Sequence, residues 1–177
     1  MVDEVLQHTV SGDSQEVLTH FDGEGNARMV DVTDKSVTDR VAIAEGYITV
    51  NEVAYKRIKE GTMKKGDVLA VAQLAAIMGA KRTSDLIPLC HPLALTNVTA
   101  TCELADAFRV LVRVTVKTTG RTGVEMEALT GVQIGLLTVY DMCKAIDKSM
   151  VMGPVYLVQK SGGKSGDFTR SADVNTL

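Results

Sequence analysis

Asp141 and Lys144 are the residues of this 177-residue sequence whose setting first suggests chemistry. From position 128 to 143, Asp141 is the only charged residue, and Lys144 follows it at a spacing that places both on one helix face. The spacing also fits an ordinary exposed ion pair, which would contribute little to stability. The alternative is a carboxylate for acid–base catalysis, whose pKa is tuned by partial burial and by the neighbouring ammonium group.

Glu127 is a second candidate, near the start of the same predicted helix. The sequence Thr122-Gly123-Val124-Glu125 predicts a capping box, which gives Glu125 a structural role and leaves Glu127 as the better functional candidate. Its alternative role is to complement the helix dipole. Fourteen residues separate Glu127 from Asp141, about 21 Å along a continuous helix. If both act in one kind of site, different subunits should supply them.

Cys90 and His91 lie between two prolines in the segment DLIPLCHPL, residues 85–93. Pro88 and Pro92 fix their own φ angles and predict a stiff, non-helical strip. No further Cys or His lies nearby in the sequence, so a metal pair is disfavoured. Cys90 is either an inert packed thiol or a nucleophile, whereas His91 suits a positioned hydrogen-bonding or cationic group.

Lysines near glycines suggest where phosphates would bind. Lys64 and Lys65 precede a predicted helix start at Asp67, where free amides and the helix dipole favour anions. Lys160 and Lys164 lie among three glycines in KSGGKSGDF, residues 160–168, which lacks the spacing of a Walker A loop. A flexible, solvated tail is the ordinary alternative for this second segment.

The elements that must position these groups follow the order strand, helices, strand, strand, helix, strand. The pattern predicts a strand at 41–50, a helix at 51–61 capped by Asn51, and a helix from Asp67 that carries no charge from Val68 to Ala80 and is buried all round. It then predicts an antiparallel pair at 95–104 and 108–119, a helix from 122 to 148 and a strand at 153–160. This order predicts an α+β fold of the ferredoxin-like βαββαβ type, an antiparallel sheet with helices on one face. The other face should be solvated or covered by another chain.

Gly131, Gly135 and Thr138 recur at helical spacing on the last predicted helix. Each glycine lowers helix propensity by about 1 kcal/mol relative to alanine, so the pattern predicts close packing against another backbone. That backbone belongs either to the same chain or to a second one.

Composition limits the classes of protein. A net charge of −3 disfavours a general nucleic-acid binder, and 4% aromatic residues disfavour base stacking on the sheet. Three scattered cysteines predict neither a disulfide framework nor a cysteine-ligated metal cluster. We expect a soluble cytoplasmic domain at 18–168, with a flexible extension at 1–17, a tail at 169–177 and no membrane-spanning segment.

Taken together, several segments resemble the MoaC family, the cyclic pyranopterin monophosphate synthases of molybdenum-cofactor biosynthesis. They are LTHFD, MVDV, KGDVLAVAQLAAIMGAKRTSDLIPLCHPL, TGVEMEALT, YDMCKA and KSGGKSGDF. The resemblance spans residues 18–168 in one order and without large gaps. It departs from the usual family pattern at Gly131 and Gly135, in a tract that is commonly alanine-rich.

The resemblance implies a phosphorus–oxygen lyase, assembled as a homohexamer of three dimers with its active site at the dimer interface. Its substrate would be 3′,8-cyclo-7,8-dihydroguanosine 5′-triphosphate, supplied by a radical enzyme, and its products cyclic pyranopterin monophosphate and pyrophosphate. It assigns catalysis to Asp141, Lys144 and Lys65 and substrate binding to Leu89, Cys90, His91, Met126, Glu127 and Lys160.

Two other functions remain compatible with the residues. One is a non-catalytic module that holds a pterin or nucleotide for another enzyme. The other is hydrolysis or cyclisation of GTP itself, although no phosphate loop or magnesium-binding carboxylate cluster is recognisable. The sequence requires no cofactor, predicts no protein-bound metal, and is compatible with magnesium bound through the substrate phosphates. No nucleic acid or membrane partner is indicated.

Overall fold

A computed structural model describes residues 24–171 of the chain. Residues 24–30 belong to a separate short unit, and every helix and strand described lies in the compact unit that begins at Asp31. The predicted extension at 1–17, the domain boundary at Leu18 and residues 172–177 of the predicted tail lie outside the described residues.

The described chain forms one antiparallel sheet with its main helices packed against it. The elements are β1 (Thr38–Thr49), α1 (Glu52–Lys59), α2 (Val68–Lys81), α3 (Thr83–Leu86), β2 (Leu95–Ala105), β3 (Arg109–Gly120), α4 (Glu125–Cys143), β4 (Val151–Ser161) and β5 (Phe168–Thr169). The strand order is β2-β3-β1-β4-β5, and every neighbouring pair is antiparallel. The predicted α+β, ferredoxin-like order is confirmed, with the short α3 and β5 as additions.

Strict alternation along the central strands builds the core. Ala42, Ala44 and Ile48 of β1 are fully buried, as are the alternate valines of β3 from Val110 to Val116. Side chains two residues apart share a sheet face, so these residues form the apolar surface on which α2 and α4 pack. The opposite face carries polar groups, including a 2.8 Å ion pair between Glu45 and Arg113.

The glycines of α4 allow α2 and the sheet to approach closely. A Cβ added at Gly131 would lie 2.9 Å from the carbonyl oxygen of Ala76, and one at Gly135 would lie 2.9 Å from Cγ1 of Val112. Both distances are too short for a real Cβ contact. The alternative that these glycines serve packing within the chain is confirmed.

The prediction that α2 is buried all round is wrong for the single chain. Its small residues Ala72, Ala76 and Ala80 form the buried stripe. Larger apolar residues occupy the opposite side, where Leu74 is 60% exposed and Met78 is 48% exposed. The lack of charge on α2 therefore reflects two different apolar faces, only one of which packs against this chain.

Both ends of α4 differ from the prediction. The predicted capping box is wrong because Val124 is the N-cap without a side-chain hydrogen bond, and Glu125 pairs instead with Lys160 at 3.1 Å. The helix ends at Cys143 rather than at 148. The carbonyl oxygen of Cys143 accepts hydrogen bonds from the amide of Ile146 at 2.8 Å and from the amide of Asp147 at 3.0 Å. The bond to Ile146 spans three residues rather than four, so the chain leaves the helix in a turn that is tighter than an α-helical turn.

The predicted caps of the two earlier helices are confirmed. The side chain of Asn51 accepts a 2.8 Å hydrogen bond from the amide of Ala54, at the start of α1. The side chain of Asp67 accepts a 3.0 Å bond from the amide of Ala70, at the start of α2. Each cap satisfies an amide that has no partner within its own helix.

Replacing Gly131 with alanine tests the packing of α4. The substitution should lower the free energy of unfolding by roughly 1–2 kcal/mol, because the clash with a backbone carbonyl outweighs the gain in helix propensity. Urea denaturation measures the change. Gln133→Ala, at an exposed position of the same helix, serves as the control and should change stability little. Equal or greater stability of Gly131→Ala would contradict this packing.

Candidate active site

A charged cluster of Lys65, Asp141 and Lys144 lies at the C-terminal end of α4. The carboxylate of Asp141 pairs with Nζ of Lys65 at 2.8 Å through one oxygen and with Nζ of Lys144 at 2.7 Å through the other. The ion pair predicted between Asp141 and Lys144 is therefore present, and Lys65 joins it from the loop between α1 and α2. The carboxylate of Asp141 is thus within hydrogen-bonding distance of both ammonium groups.

The electrostatics of the charged cluster differ from the expectation of partial burial. The side chain of Asp141 is 54% exposed. Its hydrogen bonds to Lys144 and Lys65, with the charges of both, lower its pKa to about 2. The same hydrogen bond and charge raise the pKa of Lys144. At neutral pH the cluster therefore contains a carboxylate anion and a lysine that holds its proton more tightly than usual.

Lys65 serves the end of α4 rather than the start of α2. Its Nζ also donates a 2.9 Å hydrogen bond to the backbone carbonyl of Asp141, which lies in the last turn of the helix. The first turn of α2 is already capped by the carboxylate of Asp67. The lysine therefore points away from the start of α2, where an acidic side chain occupies the cap. The anion site at the start of α2 stays a prediction.

Glu127 lies at the opposite end of α4 and lines a cavity of about 150 Å³ together with His91. Its side chain is buried, with 4% of the residue exposed. Burial, with a contribution from the nearby charge of Glu125, raises the pKa of Glu127 to about 7. This carboxyl group can change protonation state near neutral pH, which suits hydrogen bonding or proton exchange with a bound base.

The proline-bracketed segment presents His91 to this Glu127 cavity. Ile87 and Cys90 close a turn through a 3.1 Å backbone hydrogen bond, with Pro88 at its second position. Pro92 also lines the cavity. The strip is non-helical as predicted, except that its first two residues end α3.

The thiols of the chain are unsuited to nucleophilic catalysis. Burial, followed by the charge of Glu127, raises the pKa of Cys90. Burial also raises the pKa of Cys102 to about 12 and that of Cys143 to about 11. Because the thiolate is the reactive form, these shifts favour the inert alternative for Cys90.

A larger cleft of about 570 Å³ lies beside the first turn of α4 and is lined by several positively charged side chains. We call it the basic cleft, and its charged lining residues are Lys35, Arg40, Arg121, Glu125 and Lys164. Such an excess of positive charge, with backbone from the glycine-rich loop along one side, suits a phosphate chain.

Arg40 anchors the basic cleft and was missed by the sequence analysis. Only 9% of it is exposed, and its guanidinium group donates hydrogen bonds to the carbonyls of Gly120 and Arg121 at 3.0 and 3.1 Å. A Cβ at Gly163 would collide with this guanidinium, so the loop backbone lies directly against it. The signal in the sequence is an arginine in phase with the inward residues Ala42 and Ala44.

Lys160 belongs to the α4 start rather than to the charged cluster. Its Nζ pairs with Glu125 at 3.1 Å and donates a 2.8 Å hydrogen bond to Oγ of Ser165. The predicted site residues thus divide between the two ends of α4. Of the remaining predicted binding residues, Leu89 and Cys90 precede His91 in the turn, Met126 is 39% exposed, and none of the three lines the Glu127 cavity or the basic cleft.

Within residues 24–171, no group of three His, Cys, Asp or Glu residues is arranged to hold a metal ion. Over the same residues, no helix combines the length and apolar character needed to cross a membrane.

The buried carboxyl of Glu127 predicts a specific pH dependence of stability. Its pKa is higher in the folded chain than in the unfolded one, so its favourable contribution is present at acidic pH and is lost as pH rises towards and through about 7. Glu127→Gln should therefore gain stability relative to the wild type between pH 5 and 8.5, by up to about 3 kcal/mol. Urea denaturation across this range measures it. A constant difference between the two proteins would contradict the buried, titrating carboxyl.

Comparison with known proteins agrees with the resemblance in the sequence. The model of the MoaC family matches residues 29–163. A protein from Geobacillus thermodenitrificans is 54% identical over 159 residues, 88% of this chain and 98% of its own. Proteins from Brevibacillus brevis and Halalkalibacterium halodurans are 56% and 55% identical over 153 and 158 residues, covering 86% and 88% of this chain and 96% of each relative. All three relatives are named cyclic pyranopterin monophosphate synthase. The chain therefore belongs to the MoaC family.

Proposed function

We propose that this protein is a cyclic pyranopterin monophosphate synthase. It converts 3′,8-cyclo-7,8-dihydroguanosine 5′-triphosphate into cyclic pyranopterin monophosphate and releases pyrophosphate, an early step of molybdenum-cofactor biosynthesis. The three relatives with this name align with the present chain over nearly their whole length. The observation that carries the proposal is the charged cluster, in which Asp141 holds Lys65 and Lys144 at 2.8 and 2.7 Å.

The charged cluster suits the proton transfers of the rearrangement. Rebuilding the cyclised base and sugar into a pyranopterin requires protons at ring nitrogens and sugar oxygens. A carboxyl group with a pKa of about 2 is a weak base, so Asp141 acts mainly as the anion that orients the two lysines. Lys144 and Lys65 are then the proton donors, and each becomes an acceptor once it has given up its proton.

The basic cleft suits the triphosphate. Formation of the cyclic phosphate requires a sugar hydroxyl oxygen to bond to the α-phosphorus while the bond to the β-phosphate oxygen breaks, and the hydroxyl proton passes to a base. The departing pyrophosphate takes the electron pair and its charge. Arg40, Lys160 and Lys164 lie in or beside this cleft and can stabilise that charge electrostatically.

The Glu127 cavity suits the guanine-derived part of the substrate. Glu127 and His91 line it together, and a carboxyl group can accept hydrogen bonds from the amino and ring N–H groups of such a base. The backbone of the Leu89–Cys90 turn and the exposed Met126 lie close to these two residues in sequence, which is consistent with their assignment to substrate binding.

Two copies of the chain are needed to combine these parts. Glu127 and Asp141 lie on one unbroken helix, about 21 Å apart along its axis, which exceeds the reach of a single small pocket. The exposed apolar face of α2, with Val71, Leu74 and Met78, offers surface for a second copy. A homohexamer built as a trimer of dimers, with the site between two subunits, satisfies both observations.

The remaining features of the proposal follow from the chemistry. Elimination of pyrophosphate without water defines a phosphorus–oxygen lyase. A radical enzyme must supply the cyclised nucleotide. This chain is not that enzyme, because its three free thiols do not have the spacing that would bind an iron–sulfur cluster. Free thiols are usual in the reducing cytoplasm, where we place the protein. The reaction needs no resident cofactor and is compatible with magnesium that arrives on the substrate phosphates.

The purified protein and its Asp141→Asn variant test the proposal directly. Given the cyclised dihydroguanosine triphosphate, the wild type should release cyclic pyranopterin monophosphate and pyrophosphate in equal amounts. The variant should lose at least about 10³-fold in turnover while keeping its fold, because a neutral amide no longer holds two ammonium groups.

Circular dichroism and the oligomeric state serve as the structural controls for Asp141→Asn. Tight binding of the nucleotide by the wild type without either product would instead indicate a carrier module. Consumption of GTP itself would indicate a nucleotide hydrolase or cyclase.

A further inference from the structure

Asp147 is a buried carboxylate that the proposed reaction does not use. Among the described residues only Glu127 and Asp147 are buried acids, and each is 4% exposed. Asp147 lies in the turn that follows α4, three residues after Lys144. Burying a carboxylate is energetically costly unless hydrogen bonds replace its bound water. The hydrogen-bond partners of Asp147 therefore show how its buried charge is stabilised.

Both oxygens of Asp147 accept hydrogen bonds from backbone amides. Oδ1 accepts from the amide of Ser149 at 2.9 Å and from its hydroxyl at 2.7 Å, which stabilises the turn itself. Oδ2 accepts from the amide of Asn51 at 2.7 Å. These bonds lower the pKa of Asp147 despite its burial, so it remains charged at neutral pH.

The bond to Asn51 joins two segments that are far apart in sequence. Asn51 is the N-cap of α1, and the chain runs from α1 into the loop that carries Lys65. The turn on the other side follows directly from Asp141 and Lys144. The two segments that supply the charged cluster are therefore connected twice, once by Lys65 with Asp141 and once by Asp147 with Asn51.

We propose that Asp147 is a positioning residue, which holds Lys144 and Asp141 in place relative to Lys65 by tying the turn after α4 to the start of α1. This inference rests on the proposed function for its effect on turnover. The exposed cluster has few contacts of its own to fix it, since the side chains of Lys65, Asp141 and Lys144 are 46%, 54% and 54% exposed. A buried hydrogen-bonded carboxylate is the stronger constraint on their relative positions.

Asp147→Asn and Ser149→Ala separate this role from general stabilisation of the turn. An amide in place of the carboxylate points its NH2 group at one of the two backbone amides, whichever way it is oriented, and so breaks a bond. Ser149→Ala removes only the hydroxyl bond within the turn and leaves the bond to Asn51 intact.

The expected result is a fall in kcat of about tenfold to a hundredfold for Asp147→Asn, with KM within about twofold of the wild type, when both are assayed well below their Tm. Ser149→Ala should stay within about threefold in both constants. In a titration of lysine side chains by NMR, the pKa of Lys144 should fall towards its ordinary value in Asp147→Asn but not in Ser149→Ala. The reason is that the hydrogen bond to Asp141 and the charge of Asp141 raise this pKa, and both depend on the relative position of the two side chains.

An unchanged kcat, a loss that only matches the unfolded fraction, or an unchanged Lys144 titration would each overturn the proposal. If Asp147→Asn does not fold, Asn51→Pro removes the same bond from its other end, at a backbone φ of −72° that proline adopts. Asn51→Ala is its control, because it loses the cap but keeps the amide. Equal kcat values for this pair would contradict the role of the bond.

The lysine titration also separates the two proposals. A wild type that makes no product would contradict the proposed function. The Lys144 titration of the same proteins would still decide whether Asp147 positions the cluster, because that readout needs no substrate.

Discussion

The close packing of α4 against α2 and the sheet is the constraint on which the rest of the structure depends. Gly131 and Gly135 leave room for the backbone of α2 on one side and for the valines of β3 on the other. Because α4 runs without a break from Glu125 to Cys143, the acidic groups near its two ends lie about 21 Å apart along its axis. The division of the site into two halves is a direct consequence of this packing.

The surroundings of the two acidic groups at the ends of α4 shift their pKa values in opposite directions. Glu127 is buried, and its pKa rises to about 7, whereas Asp141 is exposed between two lysines, and its pKa falls to about 2. The first can exchange a proton near neutral pH and suits recognition of a base. The second stays charged and organises the ammonium groups beside it.

Sequence patterns predicted the order of strands and helices along the chain, the caps at Asn51 and Asp67 and the pairing of Asp141 with Lys144, because each depends on local spacing. They failed where a long-range contact replaces a local one. Glu125 pairs with Lys160 of β4 instead of closing a capping box, and Lys65 donates a hydrogen bond to the end of α4, which its position just before α2 did not indicate. Arg40 and Asp147 were missed because their partners, Gly120 and Asn51, are 80 and 96 residues away.

Complementation between two inactive variants tests the central claim that one site combines opposite ends of α4 from two subunits. Asp141→Asn and Lys160→Met, each impaired alone, are unfolded together, refolded as a mixture and assayed for cyclic pyranopterin monophosphate. If the halves come from different subunits, mixed dimers contain one intact site, and roughly a quarter of wild-type activity should return. Activity of the mixture no higher than that of the separate variants, with mixed oligomers demonstrated by mass spectrometry, would contradict the shared site.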